Sequence, residues 1–136
     1  MPKIKKINFT YASGRRRTAA ARARLFSGKG VSLVNGKTFE EYFPGSAQKV
    51  LWSKPFELTD TSQKYYVTVK VAGGGKNGQL DAVVHAIAKA LAQKDSEKFR
   101  LPLKKAGLLT RDSRVRQRRM VGTGGKSRRA KQSPKR

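Results

Sequence analysis

Apolar residues in this chain recur with two periods, and the periods divide it into elements. Ile7, Phe9 and Tyr11 alternate with Asn8 and Thr10, the two-residue repeat of a strand. Residues 18–26 repeat the pattern: Ala19, Ala21, Ala23 and Leu25 share one face, and Ala20, Arg22, Arg24 and Phe26 share the other. Ser27-Gly28-Lys29-Gly30 reads as a turn, Val31 to Val34 as a short third strand, and Asn35-Gly36 as a second tight turn. Short helices are expected over 38–43 and 46–52, divided by Pro44-Gly45. Tyr65, Val67, Val69 and Val71 give the clearest strand. A glycine-rich loop, residues 73–78, then leads into a helix over 79–93. Leu80, Val83, Val84, Ile87, Ala88 and Leu91 fall on one side of it, with Asp81, His85 and Lys89 stacked on the flank. A last helix is expected over 96–105, with Ser96 as its N-cap. The sum is an α+β domain: a four-stranded sheet with helices on one face and a split βαβ character.

Charge changes the picture more than composition does. The 136 residues carry 32 Lys and Arg against 8 Asp and Glu, a formal charge of +24. A free globule with that charge repels itself, so a polyanion must balance it, and a phosphate backbone is the usual one. An anionic membrane would call for a basic amphipathic helix, a lipidation signal or a long apolar run. None is evident: the run from Leu80 to Ala92 is broken by Asp81, His85 and Lys89, and no apolar stretch follows the basic N-terminus. No membrane partner is therefore expected. The absence of cysteine excludes disulfides and thiolate zinc sites, and fits a cytoplasmic protein.

The charge is unevenly placed. Residues 1–30 hold nine bases and no acid, residues 31–103 ten bases and seven acids, and residues 104–136 thirteen bases and only Asp112. Every aromatic lies at or before Phe99. Residues 1–106 thus read as a globular body. Residues 107–136 read as an extended basic tail, disordered when free because it lacks the apolar surface to offset its chain entropy.

Several local patterns invite a chemical reading. Gly73, Gly75 and Gly78 match G-x-G-x-x-G between a strand and a helix, but the second strand of a dinucleotide fold has no counterpart after residue 93. The better reading is a phosphate loop, in which Gly73, Gly74, Gly75, Gly78 and Gln79 present a helix N-terminus to RNA and Lys76 assists. Gly125-Lys126-Ser127 resembles the end of a P-loop, but position 120 is Met and no strand precedes it. His85 is the only histidine, and without clustered acids or cysteines it makes neither a catalytic set nor a metal site. No cofactor and no enzyme activity are expected.

The arginines are more informative. Lys3, Lys5 and Lys6 fit a solvated basic segment, whereas Arg22 and Arg24 project from one strand face. Beside Arg15, Arg16 and Arg17 they form a cationic surface suited to phosphate. Lys104, Lys105, Arg111, Arg114, Arg116, Arg118, Arg119, Lys126, Arg128 and Arg129 extend it into the tail. With no aromatic neighbours there, the tail should bind backbone and shape rather than bases.

Together these segments resemble a known family along nearly the whole chain. Ser13 to Arg24, Val34-Asn35-Gly36-Lys37 and Glu41-Tyr42-Phe43-Pro44 look like the opening motifs of the universal small-subunit ribosomal protein nine, bacterial type. Val67 to Lys70, the glycine loop with Gly78-Gln79, and His85 to Leu91 are similar to its central motif. Leu103 to Asp112 is the most specific piece, and the basic tail ending in Lys135-Arg136 completes the order.

The resemblance implies a left-handed βαβ fold like that of ribosomal protein five's second domain. It also implies binding to ribosomal RNA of the subunit head (the 3′ major domain), beside neighbouring head proteins. The tail would thread toward the peptidyl site, where Lys135 and Arg136 approach the anticodon stem-loop of the bound tRNA. At about 3.3 Å per residue, thirty extended residues reach roughly 100 Å, so the geometry permits this. The chain departs from the family in ending Gln132-Ser133-Pro134-Lys135-Arg136 rather than Gln-Phe-Ser-Lys-Arg. Gly122-Thr123-Gly124-Gly125 also replaces a lysine-rich stretch. Two rival readings are a free DNA architectural factor and a small nucleotide-dependent enzyme.

Overall fold

The two-residue repeat near the N-terminus folds into a hairpin of β1 (Phe9–Arg16) and β2 (Ala19–Ser27). Its register runs from Phe9 opposite Phe26 to Arg16 opposite Ala19, and Arg17 turns the chain at φ 55°. The computed structural model describes residues 8–128. Ile7, Lys3, Lys5, Lys6, Arg129, Lys135 and Arg136 therefore lie outside the described residues.

Leu33–Val34 (β3) and Lys37–Thr38 (β4) form a second, very short hairpin about Asn35-Gly36. Two helices follow, α1 (Phe39–Tyr42) and α2 (Ser46–Thr59). After them come β5 (Tyr65–Ala72), α3 (Lys76–Lys94) and α4 (Ser96–Lys105). The sheet order is β1-β2-β5-β3-β4, mixed, with β3 parallel to β5 and the other pairs antiparallel. The expected α+β class and the helix-backed sheet hold, but the sheet has five strands rather than four. The fifth, β4, is two residues long and has no alternation to signal it.

Further boundaries differ from expectation: β3 begins at Leu33 rather than Val31. The second helix runs on to Thr59 through a buried Pro55, past a polar stretch that masks its periodicity. The third begins at Lys76, because Gly75 is its N-cap and Gly78 lies within the first turn. The fourth is capped by Asp95, whose carboxylate accepts from the Lys98 amide at 3.3 Å, rather than by Ser96.

Helix α3 lies across β1 and β2, with α2 and α4 packed against it. Small residues bring helix and sheet close: Ala12, Ala19, Ala21 and Ala23 below, Ala82, Ala86 and Ala90 above, all buried. The larger Leu25, Val67, Val69, Val83, Ile87, Leu91 and Leu103 fill the rest of the core. Along β1 the inward residues are Ala12 and Gly14, so the apparent apolar face points outward, with Phe9 45% and Tyr11 50% exposed. The face opposite α3 is thus left uncovered. Among the described residues no helix is long and apolar enough to cross a membrane.

Candidate nucleic-acid interface

Strand alternation sorts the predicted arginines onto different faces. Arg22 and Arg24 lie exposed on the open side of β2, as their spacing requires, and Lys70 stands opposite Arg22 on β5. Arg15 is exposed on β1 and Arg17 caps the hairpin. Arg16 does not join them. It is on the opposite side of β1, its side chain only 12% exposed, and it is occupied by acids and carbonyls of the same chain. The single cationic surface expected from Arg15 to Arg24 therefore loses Arg16.

The glycine loop is built against that hairpin. Gly73 and Gly74 take positive φ (79° and 63°), and a Cβ on Gly73 would sit 2.6 Å from the Thr18 carbonyl. The loop consequently places the α3 N-terminus beside the Arg17-Thr18 turn. Helix α3 has no side-chain cap, and its first-turn amides have no acceptor within the helix.

The loop is held by residues that alternation alone did not bring together. Gln79 Nε2 donates to the Gly73 carbonyl at 3.1 Å, and the Tyr42 hydroxyl donates to Gln79 Oε1 at 2.7 Å. Asn35, at φ 51°, pairs its amide side chain with both the N–H and the carbonyl of Val71 (2.9 Å each). It thereby continues the β3–β5 ladder with side-chain atoms. Gln79 was expected among the phosphate-loop residues, but its carboxamide is spent on bracing the loop. Lys76 Nζ lies over the Tyr42 ring and 3.4 Å from the Tyr42 carbonyl, though the residue stays exposed.

Residues 107–114 are fastened to the helices and the hairpin. Gly107 (φ 74°) ends α4, with its N–H on the Lys104 carbonyl and the Leu108 N–H on that of Leu103. Leu108 and Leu109 then pack against the core. Arg16 Nη1 donates to the Arg114 carbonyl at 2.6 Å and pairs with Asp112 at 3.3 Å, while its Nε faces Asp81 at 3.6 Å. Asp81 thus pairs with Arg16 rather than with its helical neighbour His85. Arg114 in turn grips Asp112 through side-chain and backbone hydrogen bonds, which hold that carboxyl far below the usual range. Lys104, Lys105, Arg111, Arg116, Arg118, Arg119, Lys126 and Arg128 are all exposed, as is Arg114 beyond this clasp.

His85 belongs to the same clasp. Its Nε2 lies 3.3 Å from the Leu109 carbonyl, and Nδ1 is buried without a partner among the described residues. Burial lowers its pKa from the ordinary 6.5, the Leu109 hydrogen bond opposes that, and Lys89 and Arg111 lower it further. The unfolded state therefore binds more protons, so this contribution is complete above about pH 6.5 and is lost as pH falls through the lowered value. Amide exchange at Leu108–Asp112, corrected for intrinsic rates, is expected to quicken between pH 7 and pH 5 in the native chain but not in His85→Gln. Equal pH dependence in both would assign the effect elsewhere. Among the described residues no cluster of His, Cys, Asp or Glu could hold a metal ion.

The segments joined in these networks are those that carry the resemblance noted above. The family model described as Ribosomal protein S9/S16 matches residues 14–136. The chain belongs to this family. It is similar to the small ribosomal subunit protein uS9 of Maridesulfovibrio salexigens, with 46% identity over 118 residues, 87% of this chain and 90% of that one. Ribosomal protein S9 is a structural protein of the small subunit, part of a cytoplasmic ribonucleoprotein in bacteria, and its work is translation. The S9 family is not one of enzymes, which leaves the nucleotide-enzyme and free DNA-binding readings without support. In S9 terms, the Asn35, Tyr42 and Gln79 motifs are one brace, and the Leu103 to Asp112 motif is a helix stop with a docking segment.

Proposed function

We propose that this chain binds small-subunit ribosomal RNA in the head, the 3′ major domain, beside other head proteins, and reaches peptidyl-site tRNA with the end of its tail. The observation that carries this is the sorting of charge. Arg15, Arg17, Arg22, Arg24 and Lys70 face solvent from the hairpin and open sheet face, while Asp81 and Asp112 are engaged on the other side by Arg16. Phosphates meet the open face and the α3 N-terminus at Gly73 to Gly75, with Gly78 in the first turn and Lys76 alongside. Lys104, Lys105 and Arg111 extend contact along the tail root, with Arg114 exposed beside them although its charge is matched by Asp112. Residues 115–128 carry Arg116, Arg118, Arg119, Lys126 and Arg128, which take their path from RNA and release counterions as they bind, with Arg129 continuing the series. The β3-to-β5 crossover is read as the left-handed type, and the chain has no catalytic role.

Lys135 and Arg136 act at the anticodon stem-loop rather than in assembly. Deleting both is expected to weaken peptidyl-site tRNA binding while the protein still sediments with the small subunit after a moderate-salt wash. Loss of co-sedimentation with tRNA affinity intact would reverse that division of labour. Migration of the full chain with free protein would end the ribosomal reading altogether.

A further inference from the structure

The open sheet face holds more than charge. Cross-strand register sets Tyr11, Arg24, Thr68 and Leu33 in one row across four strands, and Ser13, Arg22 and Lys70 in the next. Between them lies a concavity of about 650 Å³. Tyr11 stands at one side and Leu33 with the Asn35 turn at the other, while Arg22, Arg24 and Lys70 rise from the floor. Among the described residues no acidic side chain lines it.

The other aromatics of this face are paired with one another, and Tyr11 is not. Phe26 and Tyr66 stack with centroids 5.1 Å apart and planes 14° apart, and Phe9 tilts against Phe26 at 5.7 Å. Gly30 covers the Tyr66 ring so closely that a Cβ would approach it to 2.7 Å. The Arg24 guanidinium lies over Phe9, 5.1 Å from the ring centre. Phe26 and Tyr66 are therefore committed to packing. Tyr11 has no aromatic or cationic partner among the described residues, is half exposed, and faces the cavity.

An aromatic face beside three cations matches one ligand chemistry. A planar base stacks on the ring while the phosphate attached to it is neutralised a few ångströms away. A duplex offers only its charged backbone to such a surface, because its bases are already stacked on one another. We propose that this concavity receives an unpaired ribosomal RNA nucleotide, with its base on Tyr11 and its phosphate at Arg22, Arg24 and Lys70. The proposal rests on the RNA-binding reading above and narrows it: the body recognises a single-stranded segment as well as backbone. Its size suits one nucleotide, since pockets of 300–1,000 Å³ hold small ligands of that kind.

The test uses the full chain and two fluorescent probes of about ten nucleotides, an unpaired adenylate RNA and an abasic oligomer of equal length and charge. Anisotropy titrations of the wild type are expected to favour the adenylate by about tenfold, the effect of one stacked base. Tyr11→Ala should erase that preference and leave abasic affinity within about twofold, because phosphate contacts survive, while Tyr11→Phe keeps it. Equal binding of both probes by the wild type, or a preference that survives Tyr11→Ala, overturns the base site and leaves the phosphate reading standing. Failure to bind either probe or the small-subunit RNA would overturn both.

Discussion

Replacing Gly14 by alanine is expected to destabilise the body by about 3 kcal/mol, the upper part of the usual overpacking range. A Cβ at this position would meet the Ala82 carbonyl oxygen and stand 2.6 Å from the Ala86 amide nitrogen. Both are backbone atoms of α3, so no side chain can swing away. Backbone conformation is not the reason, since Gly14 is an ordinary strand residue facing Ala21 across the hairpin. Either the helix lifts off β1, opening space around Ala12 and Ala23, or the strand bends. Thermal unfolding followed by circular dichroism should show a fall of about 10 °C for a domain of this size. Gly75→Ala is the control: among the described residues nothing lies within 4 Å of its Cβ and its φ is negative, so only the N-cap preference for glycine over alanine is lost and stability should fall by about 1 kcal/mol at most. Equal melting of both variants would mean that the helix does not rest on β1 this closely.

Truncation after Arg114 is expected to have the largest effect on RNA binding. Residues 115–136 hold nine bases and no acid. If about half of them meet phosphates, the slope of log affinity against log salt should flatten by about four, and affinity near 0.1 M salt should fall by roughly 10²-fold or more. The cut spares every atom of the Arg16 clasp apart from the peptide bond after Arg114, so the body should melt as before. An unchanged slope would show that the body alone neutralises phosphate, and that the tail's charge serves another purpose.

Much of this architecture is legible in the residues. The two faces of β2, the core-facing valines of β5, the apolar side of α3 and the extent of α4 all follow from periodicity, because each element buries one face and leaves the other wet. The failures have specific causes. The first strand buries Ala12 and Gly14 because α3 must approach closely, so its large residues are turned to solvent and the usual rule is inverted there. A two-residue strand such as β4 has no period to detect. Nothing in the composition of α2 marks a helix continuing through Pro55. At the site, the positions of Arg22 and Arg24 could be read from strand alternation, whereas the diversion of Arg16 depends on acids 65 and 96 residues away (Asp81 and Asp112). The roles of Asn35 and Tyr42 were equally hidden, since each bonds to a segment more than thirty residues distant. Their motifs were visible as resemblance, but the brace they form required the fold.

If the residues beyond it act as the basic tail proposed above, the clasp at Arg16 also decides how much rope that tail has. A tether starting where α4 ends would leave thirty residues to find their target, whereas one leaving the body after Arg114 has twenty-two. At about 3.3 Å per residue, its greatest span drops from roughly 100 Å to roughly 70 Å. A shorter tether with a fixed origin searches a smaller volume, and its end reaches a nearby target at higher effective concentration. Arg16, turned to acids and a carbonyl of its own chain, sets the length of the leash.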